Sequence, residues 1–220
     1  MFYQSVRRRN LALPILLFGC ALSAFAASGP AERPSEWAAA VAGTSVGNLY
    51  RIEDGLFRGA QPSAAGFREL AALGVRNVLD LAGGSGDVRF VSDGTVKLFH
   101  VPMSAWGLRD DLVLKALRIM TEPANRPLMI HCAHGADRTG AVVALYRVVV
   151  QGWTKEQAVR EMNEGGYHHS GLFRNLDRYV MRANVDALRR ELGVLIVPPP
   201  PGPGATVAAL PPAAPPVPVP

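Results

Sequence analysis

The stretch His131-Cys132-Ala133-His134-Gly135-Ala136-Asp137-Arg138-Thr139-Gly140 places a thiol and a guanidinium with five residues between them. The apolar run Pro127–Ile130 precedes it and the apolar run Ala141–Val150 follows. That context predicts a buried strand, a short loop and a buried helix. Cys132 then ends the strand and Arg138 opens the helix. An arc of this length can wrap one tetrahedral oxyanion with its backbone N–H groups turned inward. The helix N-terminus adds unpaired N–H groups and partial positive charge. Arg138 supplies a planar fork able to hold two phosphate oxygens. The same field favours a thiolate at Cys132, the reactive form of the side chain. Nucleophile, anion cradle and charge clamp fall within one loop.

Other readings compete. A lone Cys is most often a small buried hydrophobe, but that accounts for neither the Gly nor the Arg. His131, Cys132 and His134 could be metal ligands, yet no second ligand cluster stands at a usual zinc spacing. Sulfur-transfer domains also place a Cys on a strand-to-helix loop, with a shorter loop and without the Asp-Arg-Thr-Gly ending.

The loop resembles the His-Cys-x5-Arg-Ser/Thr signature of the cysteine-dependent protein phosphatases, and most closely that of bacterial tyrosine and dual-specificity phosphatases. The resemblance implies two-step hydrolysis of phosphate esters through a phosphocysteine, with no metal and no other cofactor. Cys132 is then the nucleophile. Ala133, His134, Gly135, Ala136, Asp137 and Arg138 form the phosphate loop, and Thr139 is placed to donate a hydrogen bond to the sulfur. His131 orients the loop from behind or is a plain strand-end His. In many tyrosine phosphatases the general acid is an Asp on a separate loop, a region that Asp110 and Asp111 occupy here; both also suit the start of a helix. Asp137 is the rival, as in myotubularin-like and triple-specificity bacterial phosphatases. Asp137 is the expected acid, with Asp110 and Asp111 as alternatives; its structural role would be an ion pair with Arg138 or another basic group. Softer likeness to the atypical dual-specificity group lies in Leu56-Phe-Arg-Gly-Ala-Gln-Pro62, Gly74–Leu81 and Trp153–Ala158, covering about residues 47–192. Ala82-Gly83 stands where a charged residue often follows, a departure from that group's pattern that bears on substrate contacts from this loop. The expected partner is a phosphorylated protein or a small phosphate ester. The alternatives are an inositol-phosphate or phosphoinositide phosphatase of the same mechanism, and an idle phospho-binding module with a Pro-rich adaptor tail.

The loop must be carried by an α/β fold. Leu49–Ile52 and Leu56–Arg58 read as strands around the turn signal Glu53-Asp54-Gly55. Ser63 caps a helix with Phe67, Leu70 and Leu73 on one face, closed by Gly74. Val75–Leu81 and Val96–Val101 are strands, with Ala82–Gly86 a plain connector between them. Met103–Asp111 is a loop with an exposed Trp106, and Leu112–Met120 is helical. Thr154-Lys-Glu-Gln157 is a capping box that opens a helix running to about Asn163. Tyr167-His168-His169 lies in a loop, and Leu172, Leu176, Tyr179, Val180 and Ala183 mark a final amphipathic helix. Strands alternating with helices predict a three-layer fold, a mostly parallel sheet of about four to five strands with helices on both faces. Ligands in such sheets bind beyond the strand C-termini, where Cys132 sits.

The 220 residues divide into a signal peptide (1–26), a linker (27–46), a phosphatase domain (47–195) and a disordered Pro/Ala-rich tail (196–220). The leader has basic Arg7, Arg8 and Arg9, an apolar stretch and a small-x-small site at Ala24-Phe25-Ala26. Export to the periplasm or medium is expected, with a lipoprotein anchored at Cys20 as the second choice. Cleavage after Ala26 leaves Cys132 as the sole cysteine. The net charge of +5 falls to +2 without the three leader arginines. There is no basic run or aromatic ladder for a nucleic acid. The tail reads as a spacer or as a ligand for a partner's groove.

Overall fold

The computed structural model describes residues 33–84, 86–90 and 94–194. The leader, Cys20 and the 196–220 tail lie outside the described residues. Six strands form one sheet: β1 (Ala39–Ala40), β2 (Tyr50–Glu53), β3 (Leu56–Ala60), β4 (Asn77–Asp80), β5 (Lys97–His100) and β6 (Leu128–Cys132). Their order is β1-β2-β3-β6-β4-β5. The first three pair antiparallel, and β3, β6, β4 and β5 run parallel.

The central strand β6 is buried at all five positions, as a strand covered on both faces must be. Its side chains alternate between two cores. Leu128, Ile130 and Cys132 join Leu79, Leu117 and Leu145 on one face. Met129 joins Phe67, Leu70 and Val78 on the other. The first core is covered by α2 (Asp110–Thr121), α3 (Asp137–Val149), α4 (Lys155–Glu164) and α5 (Arg174–Arg182), the second by α1 (Ala64–Ala72). The three layers expected from the strand–helix alternation are present.

Local signals hold where they were strong. Ser63 Oγ accepts from Gly66 N at 3.2 Å, capping α1. Thr154 and Gln157 exchange both bonds of a capping box, at 2.9 and 3.1 Å. Trp106 is 69% exposed.

Four expectations need correction. The sheet has six strands, because β1 lies in the stretch read as a linker. Residues 33–46 fold onto the domain: Trp37 and Ala38 are buried, and Ala38 N donates to Glu161 Oε1 at 2.8 Å. Ala82–Gly86 is more than a connector, since it leads into a 3-10 turn, Gly86–Phe90, that buries Asp87. The final helix is broken: a 3-10 turn, Gly171–Phe173, precedes α5, and α6 (Val185–Leu192) follows it. Asn184 Oδ1 caps α6 by accepting from Ala187 N at 3.0 Å. Gly193 closes it at φ +66°, where a side chain would be strained.

Candidate active site

Cys132 ends β6 and Arg138 lies in the first turn of α3, as the apolar runs predicted. Three consecutive carbonyls of the intervening loop are held from outside. Gln61 N donates to Ala133 O at 3.3 Å. Asn48 Nδ2 donates to His134 O at 3.0 Å. Arg58 Nη2 donates to Gly135 O at 2.8 Å. In a trans peptide the C=O and the following N–H point in opposite directions. Pinning these carbonyls outward therefore turns the N–H groups of His134, Gly135 and Ala136 into the concavity, and the α3 N-terminus completes the nest.

The C-terminal end of β3 and the residue after it make this possible. Gly135 adopts φ +69°, and a Cβ there would stand 2.3 Å from the Gly59 carbonyl. Only glycine lets the loop lie this close to β3. The Arg58-Gly59-Ala60-Gln61 run thus supplies a hydrogen bond, a close approach and a second hydrogen bond to one loop.

His131 is fully buried behind the loop. Its Nε2 lies 2.9 Å from Asp87 Oδ2, and its Nδ1 lies 3.8 Å from Asp80 Oδ1. Gln61 Nε2 also donates to Asp87, at 2.8 Å. Burial opposes the Asp87 charge, but the His131 and Gln61 bonds win and hold its carboxyl below the usual range. Burial dominates at Asp80 and pushes it up, although the Ala82 N–H works against this. Asp80, Asp87 and His131 form a group with metal-ligand side chains. The two carboxylates approach opposite ring nitrogens and so bracket the imidazole.

Arg138 Nη1 reaches two backbone oxygens, Met103 O at 3.3 Å and Leu81 O at 3.5 Å. Its buried Nε has no protein partner among the described residues. The guanidinium is thus steadied from the strand ends while one edge stays unpaired. Thr139 departs from expectation. Its buried hydroxyl makes no hydrogen bond among the described residues, to sulfur or backbone. α3 starts two residues earlier, at Asp137, so Thr139 sits inside the first turn and not at the cap.

Asp137 does not pair with Arg138. Its Oδ1 accepts from Ser170 N at 2.8 Å and lies 2.8 Å from His169 Nδ1. His169 Nε2 lies 3.1 Å from Asp177 Oδ1. A second imidazole is therefore bracketed by two carboxylates, on the other flank of the loop. Asp137 lines a cleft of ≈ 540 Å³ with Asn48, His134, His168, Ser170 and Phe173. Asp110 and Asp111 line a different cavity, of ≈ 460 Å³, with Tyr179 and Arg182. Tyr179 donates to Asp110 Oδ1 at 2.5 Å, and Arg109 Nη2 donates to Asp111 Oδ2 at 2.8 Å.

A central strand ending in Cys, an amide nest and an Arg at the helix start define a cysteine-dependent phosphatase. Residues 36–175 match the model of the family described as DSP-PTPase phosphatase fused to NAD+ kinase, and the chain belongs to that family. The dual specificity protein phosphatase TpbA of Pseudomonas aeruginosa is 36% identical over 192 residues, covering 84% of this chain and 87% of its own. The crystal structure of a Cys-to-Ser variant of TpbA in complex with phosphotyrosine superposes with a TM-score of 0.66 at 35% identity, covering 73% of this chain and 98% of that one. Inositol diphosphatase DSP3 of Arabidopsis thaliana is 28% identical over 122 residues, 52% of this chain and 60% of its own.

Proposed function

We propose that the protein hydrolyses phosphorylated protein side chains, phosphotyrosine foremost, through a phosphocysteine at Cys132, and that it does so outside the cytoplasm. The observation that carries the chemistry is the loop whose carbonyls are pinned outward between Cys132 and Arg138. In the first step the Cys132 thiolate attacks phosphorus, the bond to the leaving oxygen breaks, and that oxygen takes a proton from Asp137. In the second, water attacks phosphorus, the P–S bond breaks, and Asp137 takes back a proton from the water. Arg138 and the inward amides hold the equatorial oxygens in both transition states, where their charge is greatest. His131 holds the loop from behind.

Asp137 is preferred as the acid because it lines the cleft beside the loop, whereas Asp110 and Asp111 are turned to Tyr179 and Arg109 in another cavity. Its Oδ1 is occupied by Ser170 and His169, so Oδ2 is the atom assigned to the proton.

The cleft favours an aromatic phosphate over a polyphosphorylated ring. Among the described residues its lining contains His134 and His168 but no Lys or Arg, and it includes the carboxylate of Asp137. A ring bearing several phosphates needs several cations. Phe173 lines the cleft and meets the exposed Trp106 edge-on, ring centres 5.0 Å apart, an apolar wall suited to a tyrosyl ring. An inositol-phosphate phosphatase is the second reading, favoured by the inositol diphosphatases among the relatives. A substrate panel on the purified protein separates them: phosphotyrosine peptide, phosphoserine peptide and an inositol pyrophosphate. A higher kcat/KM on the phosphotyrosine peptide is expected, and a preference for the inositol pyrophosphate would reverse the assignment.

A further inference from the structure

Arg58 is a buried cation, 1% exposed, and among the described residues no carboxylate lies within ion-pair distance of it. Its Nη2 donates to Gly135 O at 2.8 Å, its Nε is unpaired, and its guanidinium lies 3.7 Å from the centre of the Tyr167 ring. Glu161 is already engaged by Arg147, Tyr167 and Ala38. A buried charge without a partner is costly, so something else must compensate for it.

The sheet register indicates what does. β3 and β6 run parallel, with Arg58 beside Ile130 and Ala60 beside Cys132. Residues two apart on a strand share a face. Arg58 therefore projects from the same side of the sheet as Cys132. Burial lowers the Arg58 guanidinium from its ordinary value, and the negative charge of Glu161 and of a Cys132 thiolate acts against that.

We propose that Arg58 is a positioning residue and the buried counter-charge of the phosphate site: it holds the Gly135 carbonyl outward and offsets the negative charge of the Cys132 thiolate and of the phosphate bound above it. The proposal rests on the reading of Cys132 as nucleophile. A thiolate beside a phosphate dianion is strongly repelled, and Arg138 alone offsets only part of that charge. Among the described residues the other titratable or charged groups around the loop are His134 within it, Asp137 and Arg138 of α3, His168, His169 and Asp177 on its flank, and His131 with Asp80 from β4 and Asp87 from the 3-10 turn. Arg147 and Glu161 stand behind Tyr167. Of these, Arg58 alone is both buried and bonded to a loop carbonyl.

The test uses Arg58→Met and Arg58→Lys in the full chain. Alkylation by iodoacetamide is followed at the Cys132 peptide by mass spectrometry as pH is varied, beside steady-state kinetics on p-nitrophenyl phosphate and circular dichroism. Arg58→Met is expected to move the alkylation midpoint up by about one pH unit or more and to weaken inhibition by inorganic phosphate about tenfold or more. Arg58→Lys keeps the charge but loses the planar fork; its midpoint should stay near the native one while KM rises about tenfold. A folded Arg58→Met with the native alkylation profile overturns the counter-charge role. If Arg58→Met does not fold, Arg58→Lys decides, and an unchanged KM there overturns the positioning role. Failure of the underlying reading looks different: full alkylation of Cys132 in the native protein would leave turnover intact.

Discussion

At the scale of single residues, the two flanks of the phosphate loop each carry an imidazole between two carboxylates. Asp80–His131–Asp87 stands behind Cys132, and Asp137–His169–Asp177 beside Arg138. The second bracket engages Asp137 Oδ1 and leaves Oδ2 for the proposed proton transfer. An acid matters most when the leaving group is a poor one, because an activated aryl oxide needs little protonation. Asp137→Asn is therefore expected to slow an alkyl phosphate far more than p-nitrophenyl phosphate, and to remove the high-pH limb of the rate profile. Asp110→Asn, alone or with Asp111→Asn, should leave the leaving-group dependence as it is. If those variants show the dependence and Asp137→Asn does not, Asp137 is a structural partner of His169 and the acid belongs to the Met103–Asp111 segment.

At the scale of elements, the loop is held by segments far from it in sequence. Arg58 and Gly135 are 77 residues apart. Behind them, Glu161 of α4 binds buried Arg147 of α3 through both carboxylate oxygens, each bond 2.8 Å. It also accepts from Ala38 N and Tyr167 OH. Burial opposes the Glu161 charge, but the Arg147 bonds and charge prevail, and its carboxyl lies below the ordinary 4.5. A carboxyl lowered in the folded state contributes stability that is complete above its unfolded value and is lost as pH falls through the folded one. Glu161→Gln leaves Arg147 buried without its counter-charge and is expected to cost about 3–5 kcal/mol near neutral pH. Denaturant unfolding should show that loss shrinking towards acid pH; an equal loss at all pH values would mean that packing, not charge, is at stake.

What could be read from the sequence follows the same division. The β6–loop–α3 unit was legible because two apolar runs and the Cys–Arg spacing are all local. The capping box at Thr154 and the Ser63 cap were legible for that reason too. Arg58 stood inside a recognised motif, but its role depends on strand β3 lying beside β6, which no local pattern encodes. His169 read as a loop residue because its partners, Asp137 and Asp177, meet only after α5 has folded back on α3. The strand β1 has two residues, both alanine, too short for any alternation to register. Thr139 shows the opposite error, a local inference of a sulfur contact that the first turn of α3 does not make.

At the scale of the whole molecule, the phosphatase domain begins earlier than composition suggested, since Arg33 already stacks on Trp37, Tyr50 and Tyr167. Among the described residues no helix is long and apolar enough to cross a membrane. Export, proposed from the leader, predicts a native chain that begins at or near Ala27. Intact-mass measurement on protein from its own cell checks this; a start at a lipid-modified Cys20 would mean a tethered lipoprotein, and a retained Met1 would refute processing. The central claim, however, is the covalent step at Cys132. The most direct measurement is rapid acid quenching during turnover of an aryl phosphate, followed by peptide mass spectrometry. The account predicts one phosphate on the Cys132 peptide, absent in Cys132→Ser, which folds and binds phosphate but does not turn over. Phosphate carried on any other residue, or near-native turnover by Cys132→Ser, would contradict it.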